Sequence, residues 1–492
     1  MSFRGNVTAN YAAQIYTTLI GIVTIPFYVA HMGSEAYGLV GIYSMLQTWF
    51  QLLDVGLSAT VSREAARFNG GSMDGQTFRR LVKGLQSIFF GTGAVGSLAL
   101  FLAAPLIATH WLKPEHLSAQ EIGFCLRLMA LVIGLRWVCG LYRATISGLE
   151  QQIWLSAANS AIATMRFVFV IPVLIFIDNS AHAFFIYQAF SAVVEALVLH
   201  FKVMSALPAR QAVAASDAPS PLRAVIKFSL SVAFINSVWI FVTQTDKLVL
   251  SKLIPLSDYG YFSMAVLLAG GITIMTGPIS SAFLPRISRL QATGDDAAVL
   301  VAYRQATRLV ATIILPIAAV LFFFPQDALF VWTGNHAITN NAAPILRLYA
   351  LGNGVLAVAA FPYYMQYAKG DLKLHIMGNV VFVVVLVPLI IVAAQRGGAV
   401  GAGYVWAGVN IAYLLGWTPL VHRRFYPALH ARWLLLDIAP YAIASFALPA
   451  IVAAFVQQAD TRLHSAVAPI GAFVVALSAC LLLLNWQRRQ SH

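Results

Sequence analysis

Five basic residues, Arg127, Arg136, Arg166, Lys247 and Arg347, and three acids, Asp54, Glu195 and Asp246, are set well inside long apolar runs. An arginine at membrane depth costs at least ~2.5 kcal/mol and turns toward a protein interior or a watery cavity. Its planar fork pairs bidentately with phosphate. An excess of such groups in the membrane suits a negative, phosphate-bearing cargo.

Spacing sorts these residues further. Leu126-Arg127-Leu128-Met129-Ala130-Leu131 recurs as Leu346-Arg347-Leu348-Tyr349-Ala350-Leu351, and Gly134 recurs as Gly354. Both arginines fall within about five residues, ~8 Å, of the outer ends of their runs, so snorkelling to headgroups competes with a cavity role. Arg136 and Arg166 lie near mid-run, where snorkelling is hard. Arg166 ends a stripe with Gln152 and Asn159 at spacing seven, one face of a helix with Ser156 beside it. Pairing of Arg136 or Arg166 with Glu195 is the structural alternative to cargo contact. Asn10, Gln14, Thr17 and Gly21 form a polar face on the first run, and Ser229, Asn236 and Thr243 form one on the seventh, ending at Asp246-Lys247. The candidate cargo contacts are thus Arg127, Arg136, Arg166, Lys247, Arg347, Asn159 and Asn236. Asp246, Glu195 and Asp54 are the candidates for ion coupling. For Asp54 a helix-end role competes, and for Asp246 a local charge pair with Lys247.

The elements that must carry these side chains follow from composition. The chain has 492 residues, 60% of them hydrophobic and 10% charged, where a soluble domain carries about 25% charged residues. It reads as an all-α polytopic membrane protein. Apolar runs of about 20 residues give about fourteen spans: 7–30, 36–58, 81–109, 122–144, 152–177, 183–207, 224–253, 257–283, 304–332, 342–367, 372–394, 400–421, 434–456 and 466–486. With sides alternated along these spans, 22 of the 31 Lys and Arg fall on the side of the N-terminus and four on the other. That is the positive-inside pattern, with both termini cytoplasmic. The same distribution assigns the +13 net charge to membrane orientation rather than to nucleic-acid binding. The first span reads as an uncleaved helix. Cys125, Cys139 and Cys480 lack metal or disulfide spacing and read as core residues. Trp111, Trp332, Trp433 and Trp486 mark span ends and read as interfacial anchors. No phosphate-binding loop of the G-x-x-x-x-G-K-[ST] type occurs, and no cofactor or metal is expected.

The repeat extends beyond the arginines. Glu35-Ala36-Tyr37-Gly38 aligns with Ser257-Asp258-Tyr259-Gly260, Gly148 with Gly370, and Asn159 with Asn379, all at shifts of 220–222. Six spans per copy keep both copies in one orientation, so the two lobes should be related by a pseudo-twofold along the membrane normal. The expected organisation is a six-helix lobe at 1–207, a cytoplasmic linker at 208–223, a second six-helix lobe at 224–422 and an appended helix pair with its tail at 423–492.

Several of these segments carry a family likeness. Asn10-Tyr11, then Pro26-Phe27-Tyr28 leading to Gly33-Ser34-Glu35-Ala36-Tyr37-Gly38, resembles the opening of polysaccharide-export flippases. Leu52-Leu53-Asp54-Val55-Gly56-Leu57 before Arg63, and Thr245-Asp246-Lys247-Leu248-Val249-Leu250 before Asp258-Tyr259-Gly260-Tyr261, resemble later segments of the same family. The family is the polysaccharide transporters, including O-antigen flippases, of the multidrug/oligosaccharidyl-lipid/polysaccharide exporter superfamily. The resemblance covers roughly residues 5–430. It implies a V-shaped pair of lobes that open alternately to either side of a bacterial inner membrane. The implied cargo is an undecaprenyl-pyrophosphate-linked oligosaccharide, with membrane lipid, a glycan polymerase and a chain-length regulator as neighbours. A multidrug or organic-cation antiporter of the same superfamily and a lipid II flippase are the alternatives. A membrane-embedded glycan polymerase should show a large outer loop, and none is visible.

Overall fold

The structure, a computed structural model, describes residues 3–54, 56–208, 222–455 and 461–490. The expected linker falls almost wholly outside them. The described residues are helical with no strand, as apolar spans must be, because only a helix satisfies every backbone group within one segment. The helices are α1 (Phe3–Val23), α2 (Ile25–Phe50), α3 (Leu57–Asn69), α4 (Gly75–Leu106), α5 (Ala119–Gly148), α6 (Gln152–Phe167), α7 (Val170–Phe176), α8 (Ala181–Ala206), α9 (Leu222–Leu253) and α10 (Leu256–Ile274). There follow α11 (Thr276–Ala292), α12 (Asp296–Phe323), α13 (Pro325–Thr333), α14 (His336–Ala359), α15 (Phe361–Ala368), α16 (Lys373–Ala412), α17 (Thr418–Phe425), α18 (Leu429–Arg432), α19 (Ala439–Phe455) and α20 (Arg462–Gln490).

Among the described residues, ten helical stretches are long and apolar enough to cross a membrane, or eleven if the bent pair Thr8–Val23 and Ile25–Asp54 forms one span. The sequence expectation of about fourteen is higher for a visible reason. Lys373–Phe425 is one helical run that covers two expected spans, and Gly397 and Gly398 leave helical geometry between them. The expected span 224–253 falls on α9, only part of which lies among the residues whose side chains are described.

The chain divides into two compact units, Met1–Gly260 and Tyr261–His492. In the first, α5 packs between α4 and α8, and α1 lies along α6. The core gathers Phe78, Leu85, Phe89, Trp137, Tyr142 and Leu199. In the second, α14 packs between α12 and α16, and α19 and α20 pair with each other on α12. Its core gathers Tyr303, Ile314, Phe361, Trp433 and Tyr441. Matching helices begin alike: Asp74 caps α4 by accepting from the Gln76 and Thr77 N–H groups, and Asp295 caps α12 by accepting from Ala298 N–H. Such caps satisfy donors that a helix start leaves open.

The two copies of the glycine motif meet inside the first unit. A Cβ on Gly38 would fall 2.3 Å from the Leu256 carbonyl oxygen, and one on Gly260 would fall 2.2 Å from that of Ser34. Ser34 and Gly38 correspond to Leu256 and Gly260 at a shift of 222, so the contact is reciprocal, as a local twofold produces. Nearby, the buried Glu35 carboxylate accepts from the N–H groups of Glu115, His116 and Leu117. One sequence reading is corrected here. Trp433 is fully buried rather than an interfacial anchor, because its indole N–H finds Thr307 Oγ1 at 3.0 Å inside the second unit. The three cysteines are buried and free.

Candidate functional site

Three helices of the first unit each present polar groups seven residues apart: Arg136 and Arg143 on α5, Asn159 and Arg166 on α6, Gln188 and Glu195 on α8. Spacing of seven keeps a pair on one helical face, and the three faces converge. Glu195, 1% exposed, pairs with Arg143 and lies 3.4 Å from Arg136 Nε. Arg136, 6% exposed, also donates to Gln188 Oε1 at 3.0 Å, Ser191 Oγ at 3.3 Å and the Tyr43 hydroxyl. Arg143 Nε donates to Asn159 Oδ1 at 3.1 Å. One carboxylate thus holds two guanidiniums, with neutral acceptors around them. Buried charge is tolerated when it is paired, and here hydrogen bonds satisfy the buried guanidinium N–H groups other than Arg136 Nε, which has only the ion-pair distance to Glu195.

Arg166 differs in belonging to no ion pair among the described residues. Its Nε, like that of Arg136, is buried and has no hydrogen-bond partner among them. The guanidinium lies 4.8 Å from the Phe167 ring centre and 5.9 Å from that of Tyr43, whose ring also lies 5.7 Å from Arg136. The backbone breaks just beyond it, between α6 and α7, where the Val168 and Phe169 N–H groups share the Thr164 carbonyl. Side chains take up the freed carbonyls: Tyr187 donates to Met165 O, Gln188 Nε2 to Arg166 O, and Tyr28 to Phe167 O. A broken helix at membrane depth is tolerated where protein re-satisfies it, and such breaks mark transporter binding sites. The cation also lies at a helix C-terminus, where the dipole favours positive charge.

Two cavities flank this cluster. One of about 340 Å³ is lined by Asn10, Gln14 and Thr17 of α1 with Arg143, Asn159, Arg166 and Glu195. The other, of about 430 Å³, is lined by Asp54, Arg136, Arg143, Gln47 and Trp239 among others. The polar faces read from the first and fifth spans therefore meet on one cavity. Of the sequence candidates, Arg136, Arg166, Asn159 and Glu195 come together.

The remaining candidates lie elsewhere. Asp54 accepts from the Ser58 N–H and hydroxyl and so caps the turn into α3, while facing the larger cavity. Lys247 turns back on its own helix, with Nζ 2.6 Å from Thr243 O and 3.6 Å from Asp246, which is 2% exposed. Arg127 lies exposed over the Phe101 ring at 5.5 Å and lines neither cavity. Arg347 lies exposed in the second unit over Phe322 at 5.7 Å and donates to the Phe322 carbonyl. Asn236 is on α9, and its side chain is outside the described residues. Sequence reasoning missed Arg143, Tyr43, Gln188 and Ser191. The spacing of seven from Arg136 to Arg143 and from Gln188 to Glu195 was the available signal.

Comparison with known proteins bears on the family and the fold. A family model described as polysaccharide biosynthesis protein matches residues 3–291. A Shigella flexneri protein provisionally named O-antigen transporter is 22% identical over 424 residues, covering 85% of this chain and 97% of that one. Among solved structures, the lipid II flippase MurJ in an inward closed conformation superposes with a TM-score of 0.68 at 14% identity, covering 95% of this chain and 98% of that one. An inward-facing multidrug resistance MATE family transporter of the MOP superfamily gives a TM-score of 0.69 at 13% identity, covering 83% of this chain and 94% of that one.

Proposed function

We propose that this chain, which belongs to the polysaccharide biosynthesis protein family and is a multi-pass membrane transporter, flips an undecaprenyl-pyrophosphate-linked oligosaccharide across the bacterial inner membrane. The movement runs from the cytoplasmic to the outer leaflet by alternating access, in O-antigen, capsule or exopolysaccharide assembly. The observation that carries the reading is Arg166: a guanidinium beside a cavity, at a helix break, with its Nε lacking a partner. A pyrophosphate supplies what that fork lacks, since charge-assisted N–H···O bonds to phosphate are short and strong. Arg136 and Arg143 add positive field, and Glu195 holds them in place. The polar groups of α1 and Asn159 offer neutral hydrogen bonds suited to sugar hydroxyls. Organic-cation transport is less well served, because Glu195 is committed to two arginines and Asp246 to Lys247. Arg127, Arg347 and Lys247 then act in support, through field and shape rather than direct contact.

The test is export in a strain deleted for the gene. Such a strain should accumulate the lipid-linked oligosaccharide on the cytoplasmic side. Arg166→Ala should reach near-normal abundance, because no ion pair is broken, and yet lower export at least tenfold. Arg166→Lys should restore part of it, keeping charge but losing the fork. Wild-type export from an abundant Arg166→Ala protein overturns the reading, and accumulation of lipid II instead reassigns the cargo.

A further inference from the structure

The second unit holds a cationic cavity that the transport reading does not use. Its volume is about 370 Å³, and its lining includes Arg286 of α11, Arg304 and Arg308 of α12, and Arg488 of α20. No acid lines it. Asp437, fully buried behind the wall, is bound by Arg304 through Nε at 2.6 Å and Nη2 at 3.1 Å, and by Arg308 through Nε at 2.5 Å. A guanidinium carries five N–H donors, so both arginines are locked in orientation while keeping donors to spare. Phe283 and Leu484 give the same cavity an apolar wall. All four arginines belong to the end of the helices that the positive-inside pattern places at the cytoplasmic face.

Basic residues that only orient a chain need not converge. Here three helices aim four guanidiniums at one space, with two of them fixed by a single carboxylate. We propose that this cavity binds the phosphate of a membrane lipid headgroup, with the acyl or prenyl chain following the apolar wall. Arginine forks match phosphate oxygens, and basic pockets at the cytoplasmic side capture anionic headgroups. Acidic glycerophospholipid and polyprenyl phosphate share this chemistry. The site stands whether or not the transport reading does.

The experiment measures lipid retained by purified full-length protein, using native mass spectrometry after exchange into phosphatidylglycerol, undecaprenyl phosphate or phosphatidylcholine. Wild-type protein should retain phosphatidylglycerol or undecaprenyl phosphate at least fivefold over phosphatidylcholine, and the better of the two names the source. Arg286→Gln with Arg488→Gln should remove that preference, while Asp437 keeps both of its partners and the protein its thermal stability. Gln305→Glu, which places a carboxylate in the cavity without deleting an arginine, should weaken retention severalfold by itself. Competition by millimolar inorganic phosphate should reduce retention in the wild type. Unchanged lipid preference in both variants overturns the proposal.

Discussion

The two halves of this chain share a scaffold and differ in where they keep charge. The 220-residue shift that carries Arg127 onto Arg347 carries Arg136, Arg143, Arg166 and Glu195 onto Leu356, Tyr363, Leu386 and Leu415. The first unit therefore sets its cluster at membrane depth, where its counterpart is apolar or aromatic. The second unit gathers its charge at Asp437, which binds Arg304 and Arg308. Caps, helix partners and glycine contacts follow the repeat, while the ionised groups do not.

The sharpest way to break the comparison is Glu195→Ala. It strands Arg136 and Arg143 beside Arg166, which has no ion pair of its own among the described residues, and losing one member of a buried ion pair costs about 3–5 kcal/mol. Membrane abundance should collapse, as quantified by immunoblot and thermal unfolding in detergent. Giving the first unit the second unit's residues, Arg136→Leu, Arg143→Tyr and Glu195→Leu together, should recover most of that stability, because an apolar replacement strands no charge. Export should stay lost. A triple variant as unstable as Glu195→Ala would mean that the cluster is architectural rather than an added site.

The equivalent change in the second unit, Asp437→Ala, should cost less, about 2 kcal/mol, the range for hydrogen bonds to charged groups. Its arginines are 28% and 16% exposed on their side chains and can recruit water, whereas Arg136 is 3% exposed. The measurement is again thermal unfolding. A loss equal to that of Glu195→Ala would erase the proposed difference in burial between the two charge sites.

The glycine motif probes what the halves share. Gly38→Ala and Gly260→Ala each place a methyl within 2.3 Å of a carbonyl oxygen, and overpacking of this kind costs about 1–3 kcal/mol. The two losses should be similar and should not add fully, since both act on one reciprocal contact. Full additivity would argue against a shared contact.

How much of this was legible in the sequence depended on whether periodicity or partner choice set the outcome. The polar stripes of α1 and α6 were readable because spacing fixes a helical face, and they do meet on one cavity. Glu195 as a partner of Arg136 followed from its being an acid in the same apolar region. Arg143 is absent from the sequence candidates because it lies at the last turn of the apolar run 122–144. The helix continues to Gly148, which keeps Arg143 on the buried face of Arg136. Lys247 was set with the arginines on charge alone, and nothing in the sequence says that its ammonium folds back onto Thr243. The break after Phe167 had one signal, Pro172, which cannot donate to the Val168 carbonyl and crowds it, but the carbonyl partners come from residues distant in sequence.

The smallest expected effect concerns the arginines that first pointed to the repeat. Arg127 stacks over Phe101 and Arg347 over Phe322, at 5.5 and 5.7 Å, and Phe101 and Phe322 are themselves 221 residues apart. An exposed cation–π contact contributes about 0.5–1 kcal/mol, so Arg127→Ala and Arg347→Ala should each lower stability by about that much. Arg347 should lose slightly more, because its Nε also donates to the Phe322 carbonyl at 3.0 Å. Double-mutant cycles, Arg127→Ala with Phe101→Leu and Arg347→Ala with Phe322→Leu, isolate the ring contact from the carbonyl bond. Equal coupling in the two cycles would mean that the repeat preserves an energetic contact as well as a sequence pattern. Coupling in one cycle alone would mean that the arginine is kept in the other half for a different reason, and contact with cargo during transport is the reason that a loss of export without a loss of stability would identify.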